Sequence, residues 1–206
     1  MRVLITAGPT REPIDPVRYL GNRSSGQMGR ALADSAIQSG HAVTLILGPV
    51  TAAMPTGVRR IDVETTRQMH DAVLAEFPKH DLLIMAAAVA DYRPAKIQPS
   101  KIERGGTMTI ELEATEDILA AAGQVKRPDQ RTVGFSLVER ANLERSRQKL
   151  LRKHLDLIVH NPLETMNSER IEAVLLWPDG QSEELASRSK GEFAYILLQR
   201  AATLFA

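Results

Sequence analysis

The feature that most narrows the fold is a repeating order of short apolar runs and longer segments with helical spacing. Val3 to Thr6 is apolar and β-branched without alternation, the pattern of a strand covered on both faces, and Gly8-Pro9 stops it. From Ser24 to Gln38 apolar side chains fall at Met28, Leu32, Ala36 and Ile37, one stripe of a helix that Gly40 ends. The order then repeats. His41 to Leu47 predicts a second strand closed by Gly48-Pro49, Thr65 to Phe77 a helix, and Asp81 to Ala87 a third strand. A short helix over Thr115 to Gly123, a strand over Thr132 to Phe135, a helix over Asn142 to His154 and a strand over Asp156 to Val159 continue it. Such alternation predicts an α/β fold, a Rossmann-like doubly wound parallel sheet.

Two segments leave this rhythm. Tyr92 to Glu113 mixes Pro and Lys with the alternating stretch "TMTIELE" and predicts a lid loop with an edge strand over about 92–113. After Asn161-Pro162, "IEAVLLW" and "QSEELA" flank Pro178-Asp179-Gly180 and predict an antiparallel hairpin over about 171–186, followed by a helix from Lys190. The apolar hairpin strand has two open uses, as core of this chain or as a pairing surface for a second subunit. No linker composition separates these parts, so residues 1–206 are expected to form a single domain.

Composition excludes more than it assigns. Apolar residues make up 43% of the chain and aromatics 4%, so aliphatic side chains and alanine must fill the core. Lys and Arg, 26 together, nearly cancel Asp and Glu, 25 together; the net charge of +1 supplies no basic field for nucleic acid or an anionic membrane. With no cysteine, disulfides, thiolate metal sites and a cysteine nucleophile are excluded. Neither a signal segment nor a membrane span is visible, and a cytoplasmic protein is expected. His41, His70, His80, His154 and His160 show no metal-ligand spacing and are expected at the surface or at strand ends; Trp177 is expected to pack.

Candidate chemistry gathers at the predicted strand ends. In a sheet of this kind an anion sits where the first strand hands over to a helix, held by glycine N–H groups and the helix dipole. Here Gly8 ends the strand, while Gly26 and Gly29 fall in "SSGQMG" after a long insertion. That segment offers N–H groups and hydroxyls to an anion; equally, Ser24 suits a helix cap and the glycines suit close packing. The second strand ends "LILGPVT", without the carboxylate that holds ribose in NAD enzymes, which points to another phosphate-bearing ligand. "MAAAVADYRPA" leaves room for a ligand beyond the third strand, with Asp91 suited to a ribose, a base, a metal or a turn cap. Lys96 and Lys101 lie in the lid segment, where a lysine covers a triphosphate or is merely solvated. Lys149 and Lys153 share one helix face and suit a polyphosphate, although residue types alone favour an ordinary basic surface.

Five segments, taken in order, resemble the phosphopantothenate–cysteine ligases, also called phosphopantothenoylcysteine synthetases. They are "ITAGPTREPIDPVRYLGNRSSGQMG", "AAAVADYRPA", Lys101 in "SKIE", "VGF" at 133–135 and "KLLRKHLDLIVHN". The resemblance runs from Met1 to about Lys190, and TREPIDPVR followed by NRSSG is its most specific part. It implies a Mg²⁺-dependent condensation within coenzyme A biosynthesis. The carboxylate of 4′-phosphopantothenate attacks the α-phosphate of a nucleotide, usually CTP in bacterial members and ATP in eukaryotic ones, and pyrophosphate leaves. The amine of cysteine then attacks the acyl-nucleotide, giving the amide and the nucleoside monophosphate. It further implies a homodimer, paired through the hairpin region. The form resembled is the stand-alone synthetase, with no flavin in this chain and a separate decarboxylase as a candidate partner.

Carried onto these positions, the resemblance makes Asn22 the residue that binds the acyl-nucleotide and assists amide formation, and Lys101 the lid lysine of the first step. Gly8, Ser24, Gly26 and Gly29 match phosphate-binding positions; Ala86, Ala87 and Asp91 match nucleotide contacts, with Phe135 beside the nucleotide. Ala87, Ala88 and Asp91 also match phosphopantothenate contacts, and Arg18 an arginine that reaches a phosphopantothenate phosphate across the dimer. Lys149 and Lys153 match two nucleotide-binding lysines, against the plainer reading of that helix. Three departures fall at the nucleotide end. The family's KIKK is Lys101-Ile102-Glu103-Arg104, its NPDI is Thr115-Glu116-Asp117-Ile118 with Asp117 and Ile118 kept, and its GFAAET is GFSLVE. They leave open a non-catalytic nucleotide-binding relative. An NAD(P) oxidoreductase is the other rival, opposed by the missing ribose acid and by the lack of a Tyr-x-x-x-Lys pair.

Overall fold

A computed structural model describes residues 1–51, 53–165 and 168–205. The chain opens with β1 (Arg2–Ala7), a short hairpin of β2 (Arg11–Pro13) and β3 (Tyr19–Gly21), and helix α1 (Gln27–Gln38). It continues through β4 (Ala42–Leu47), β5 (Arg59–Asp62), α2 (Thr66–Glu76) and β6 (Leu82–Met85). A two-stranded ribbon, β7 (Tyr92–Pro94) with β8 (Leu112–Ala114), precedes α3 (Ile118–Val125), β9 (Arg131–Val138), α4 (Leu143–Arg152) and β10 (Leu157–Pro162). Last come β11 (Arg170–Leu176), β12 (Ser182–Ser189) and α5 (Lys190–Thr203).

One sheet carries eight strands in the order β12-β11-β10-β9-β6-β1-β4-β5. From β10 to β5 all neighbours are parallel, and β11 and β12 add an antiparallel edge. The chain starts mid-sheet, winds outward to β5, then returns past β1 to build the other half. This is the Rossmann order, and its crevice lies beside β1, where the winding reverses.

Both faces are covered, which explains the unbroken apolar runs. On one side Val3, Ile5 and Ala7 pack with Leu32 of α1 and Phe193 and Leu197 of α5. On the other, Leu4 and Leu83 pack with Met69 and Val73 of α2 and Leu150 of α4. Helix starts follow side-chain chemistry. Thr65 and Gln68 form a reciprocal cap on α2, Ser189 and Glu192 do the same on α5, and Asp117 accepts from the Ala120 N–H to cap α3.

Several expectations change. The first helix begins at Gln27 rather than Ser24, and the residue at its cap is Gly26, at φ 76° with no side-chain cap bond. A left-handed residue turns the chain into this helix, so glycine rather than serine is required there. The alternating lid stretch does not become a sheet edge, since β5 and β12 hold both edges; only Leu112–Ala114 is extended, paired with Tyr92–Pro94 in a separate ribbon. The polar strand β5 and the β2–β3 hairpin have no apolar pattern and were not predicted. The C-terminal hairpin is present, its turn closed by Trp177 N–H to Gln181 O at 3.1 Å and Gln181 N–H to Asp179 Oδ1 at 2.9 Å. Ala173, Leu175 and Leu176 are buried in this chain's own core, which decides between their two open uses. His80 and His160 are buried, not superficial: His80 bridges the Glu76 carbonyl and Thr44 Oγ1, and His160 Nδ1 meets Ser146 Oγ at 2.9 Å. Among the described residues no helix is long and apolar enough to cross a membrane.

Contact between α1 and β1 is set by one glycine. A Cβ at Gly29 would stand 2.2 Å from the Ala7 Cβ, and relief requires the helix to move off the strand. Gly29→Ala is therefore expected to destabilise the chain by about 1–3 kcal/mol, read as a lower urea midpoint with unchanged slope. Gly191→Ala, where a Cβ meets nothing within 4 Å on α5, should be neutral or stabilising in the same measurement.

Candidate active site

Because β1, β6 and β9 are parallel, their C-terminal ends open on the same side, and a cleft of about 770 Å³ lies there. One wall comes from the insertion after β1 and the first turn of α1: Asn22, Ser24, Gly26 and Gly29. The floor is the end of β6, with Ala86, Ala87, Ala88 and Asp91. Asp117 and Ile118 at the start of α3, Phe135 on β9, and Lys149 and Lys153 at the end of α4 make the opposite wall.

The insertion is held by polar ties. Beyond the strands proper, Ala88 N–H donates to Gly8 O at 2.9 Å and Thr10 N–H to Ala88 O at 3.3 Å, so β1 and β6 stay zipped past their ends. Thr10 Oγ1 accepts from Ala90 N–H at 2.9 Å, and the buried Glu12 accepts from Thr66 N–H at 2.7 Å, at the first turn of α2. Asn22 then crosses the floor. Its Nδ2 donates to Val89 O at 2.8 Å and Ala88 O at 3.3 Å, and because both partners only accept, the amide nitrogen faces them.

The cationic wall is built by α4. Ser146, one turn before Lys149, bonds Ser136 on β9 and His160 on β10, which pins the helix to two strands. Lys149 Nζ donates to the Phe135 carbonyl at 2.7 Å, and Lys153 pairs with Asp117 at 2.8 Å. Burial, reinforced by the neighbouring Lys153 charge, pushes the Lys149 ammonium down to about 8. Burial works against ionisation of Asp117, yet the Lys153 bond and the Ala120 N–H hold its carboxyl below the usual range. The departing Glu116 brings no free charge to the cleft, since Arg93 and Arg67 each pair with it at 2.9 Å. Asp91 is the cleft carboxylate without an ion-pair partner among the described residues. Among these residues no three His, Asp or Glu side chains gather to hold a metal.

Three sequence candidates stand elsewhere. Gly8 lies under the insertion at φ 77°, where a Cβ would come within 2.9 Å of Gly48 O, so it serves the turn and does not line the cleft. Lys101 borders a second cavity of about 530 Å³ beneath the lid. Arg18 donates to the Ile102 carbonyl and pairs with Asp15 at 3.4 Å. Conversely, Lys190 and Asn161 line the cleft although neither is among the sequence candidates; Asn161 closes the segment "KLLRKHLDLIVHN", while Lys190 carries no motif. Lys190 reaches Gln27 Oε1 at 3.1 Å only because α5, which it begins, packs against α1, and burial lowers its pKa.

A sheet in Rossmann order with a partly dry, cationic cleft at its reversal point defines a Rossmann-like α/β ligand-binding protein. Residues 1–204 match the family described as DNA/pantothenate metabolism flavoprotein C-terminal domain, and the chain belongs to that family. A coenzyme A biosynthesis bifunctional protein CoaBC from Vibrio cholerae is 45% identical over 187 residues, covering 87% of this chain and 47% of the relative. The chain spans about half the length of the curated relatives it matches. The crystal structure of the C-terminal domain of a CoaBC protein superposes with a TM-score of 0.85 at 35% identity, covering 98% of this chain and 96% of that one. A Cab2 mutant in complex with phosphopantothenate-cysteine shares the fold, with a TM-score of 0.83 at 18% identity.

The state of Lys149 is expected to make the binding of an anion beside it depend on pH. Between about 8 and 10.5 the folded chain binds fewer protons at this lysine than the unfolded chain, so stability is expected to rise with pH in that window. An anion against the ammonium does the reverse, favouring the protonated form. With inorganic pyrophosphate as the probe anion, the Kd measured calorimetrically should weaken about tenfold from pH 7 to pH 9. Lys149→Arg, charged throughout, should flatten that dependence.

Proposed function

We propose that this chain is a phosphopantothenate–cysteine ligase acting in coenzyme A biosynthesis in the cytoplasm. The observation that carries this is the meeting of Asn22 with Lys149 and Lys153 around one cleft, in a chain of this family. The name of the relatives and the 35% identity to the C-terminal domain of a CoaBC protein support the same pathway.

In the first step a carboxylate oxygen of 4′-phosphopantothenate forms a bond to the α-phosphorus of the nucleotide, and the bond to pyrophosphate breaks. Two anions meet, so positive charge and N–H donors must face them. In this reading Lys149, Lys153, the Ser24 hydroxyl and the N–H groups from Gly26 to Gly29, all of which line the cleft, meet that need. Magnesium belongs to the proposal and neutralises phosphate charge when bound. Asp91, which has no ion-pair partner among the described residues, would be the protein group to hold it. Ala86 and Ala87 leave room for the nucleotide beside Phe135, and Asp117 and Ile118 edge its base. CTP rather than ATP is proposed from the resemblance to bacterial members.

In the second step the cysteine amine attacks the acyl carbon, the bond to the nucleoside monophosphate breaks, and the amine gives up a proton. Charge builds on the acyl oxygen, and Asn22 supplies the donor by exchanging one of its two carbonyl partners for that oxygen. Lys101 borders the second cavity and not the cleft, so its part in the first step requires the lid to swing inward while Ile102 stays anchored. This position is also what favours the rival reading, a nucleotide-binding protein without turnover.

A homodimer is part of the same proposal, with Arg18 serving the neighbour's ligand. Val17, Tyr19, Tyr92 and Ile97 are large, mainly apolar side chains, each more than half exposed, on the β2–β3 hairpin, β7 and the lid loop. That supports pairing on the lid side rather than through the C-terminal hairpin, whose apolar side chains already sit in the core. A separate decarboxylase stays a candidate partner.

With CTP or ATP, Mg²⁺, 4′-phosphopantothenate and cysteine, release of pyrophosphate and formation of the amide are expected; nucleotide binding with no product would establish the rival. Asn22→Ala should slow amide formation about 100-fold while single-turnover pyrophosphate release falls far less. Joint replacement Tyr19→Glu and Tyr92→Glu should halve the mass of the particle in solution.

A further inference from the structure

The motif EPIDPVR contains a carboxylate that the ligase reading leaves without a task. Asp15 is buried, its side chain wholly covered, yet it sits at the tip of a surface hairpin. Its two oxygens do separate work. Oδ1 accepts from the Val17 and Arg18 N–H groups, both at 2.8 Å, and closes the turn between β2 and β3. Oδ2 accepts from the Ile102 N–H at 3.1 Å and faces Arg18 Nε at 3.4 Å. Arg18 in turn donates to the Ile102 carbonyl. Both backbone groups of Ile102, the residue after Lys101, are therefore held by one ion pair on another element. A second tie, Gln98 N–H to Ile14 O at 2.9 Å, fixes the lid on the other side of Lys101.

We propose that Asp15 is a positioning residue for the lid: with Arg18 it clamps Ile102 by its N–H and carbonyl and so sets where Lys101 stands relative to the cleft. A turn alone does not require this residue, since asparagine closes such turns as well as aspartate. The second oxygen is what distinguishes them. In Asp15→Asn the side-chain carbonyl would stay on the turn, and an NH₂ group would face Ile102 N–H and Arg18, which are donors only. Burial opposes the charge on Asp15, but the N–H groups of Ile102, Val17 and Arg18, with the Arg18 charge, hold its carboxyl below the usual range.

This inference rests on the ligase reading for its kinetic consequence, while its mechanical part is independent of it. The chain has no cysteine, so Ser100→Cys accepts a single spin label beside Lys101. In that background Asp15→Asn is expected to mobilise the label at an unchanged melting temperature. Ile102→Pro, which removes the lid's N–H and leaves the hairpin alone, should do the same. Labels as immobile in both variants as in the parent overturn the clamp, whatever the chain catalyses. In single turnover, Asp15→Asn should slow pyrophosphate release at least tenfold with the nucleotide Kd within twofold. A mobile label with unchanged pyrophosphate release overturns the positioning of Lys101, and no pyrophosphate from the parent overturns the ligase reading alone.

Discussion

The floor and one wall of the cleft are placed by β1, whose side chains from Val3 to Ala7 are buried between two layers of helices. Burying a side chain of that size stabilises a fold by about 1.5–3 kcal/mol, and a strand covered on both faces cannot slip without exposing both. With β1 fixed, β6 is fixed by pairing, and α1 by the approach that Gly29 permits at Ala7. The ligand space is what remains between these three and the wall of α3, β9 and α4 at the end of the strands.

Polar contacts then shape that space. The insertion after β1 has no apolar core of its own, and it is held by Thr10, Glu12 and Asn22, which tie it to the loop after β6 and to the first turn of α2. Buried polar groups are costly unless paired, and among the described residues none of the buried side-chain polar atoms lacks a partner. The same economy governs charge. Lys153 and Asp117 satisfy each other, Glu116 is shared by two arginines, and Lys149 alone sits in a dry place against a carbonyl. A cation left in that state gains most from an anionic ligand.

The lid follows a different physics. Between Ala95 and Glu111 few backbone groups pair, and its position is set at discrete ties to Ile14, Asp15 and Arg18. A segment with few paired backbone groups opens at a lower free energy than a packed one, which sets Lys101 apart from the cleft that holds most of the other candidate residues.

By itself the sequence determined the doubly wound sheet, the hairpin and the C-terminal helix, because apolar periodicity reports burial and these elements are buried in it. The polar edge strand β5 and the lid strand were misjudged for the matching reason: where burial is slight, periodicity carries nothing. Most of the residues that line the cleft, from Asn22 to Lys153, lie in short motifs visible in the sequence, although one residue type fits several uses there and Lys101 stands apart from them. Only the tertiary structure decided that Gly26 rather than Ser24 starts the helix, that Gly8 serves a turn, that Lys190 joins the cleft and that Asp15 holds the lid. Each depends on groups far apart in the chain brought within a few ångströms, and no local pattern encodes such a distance.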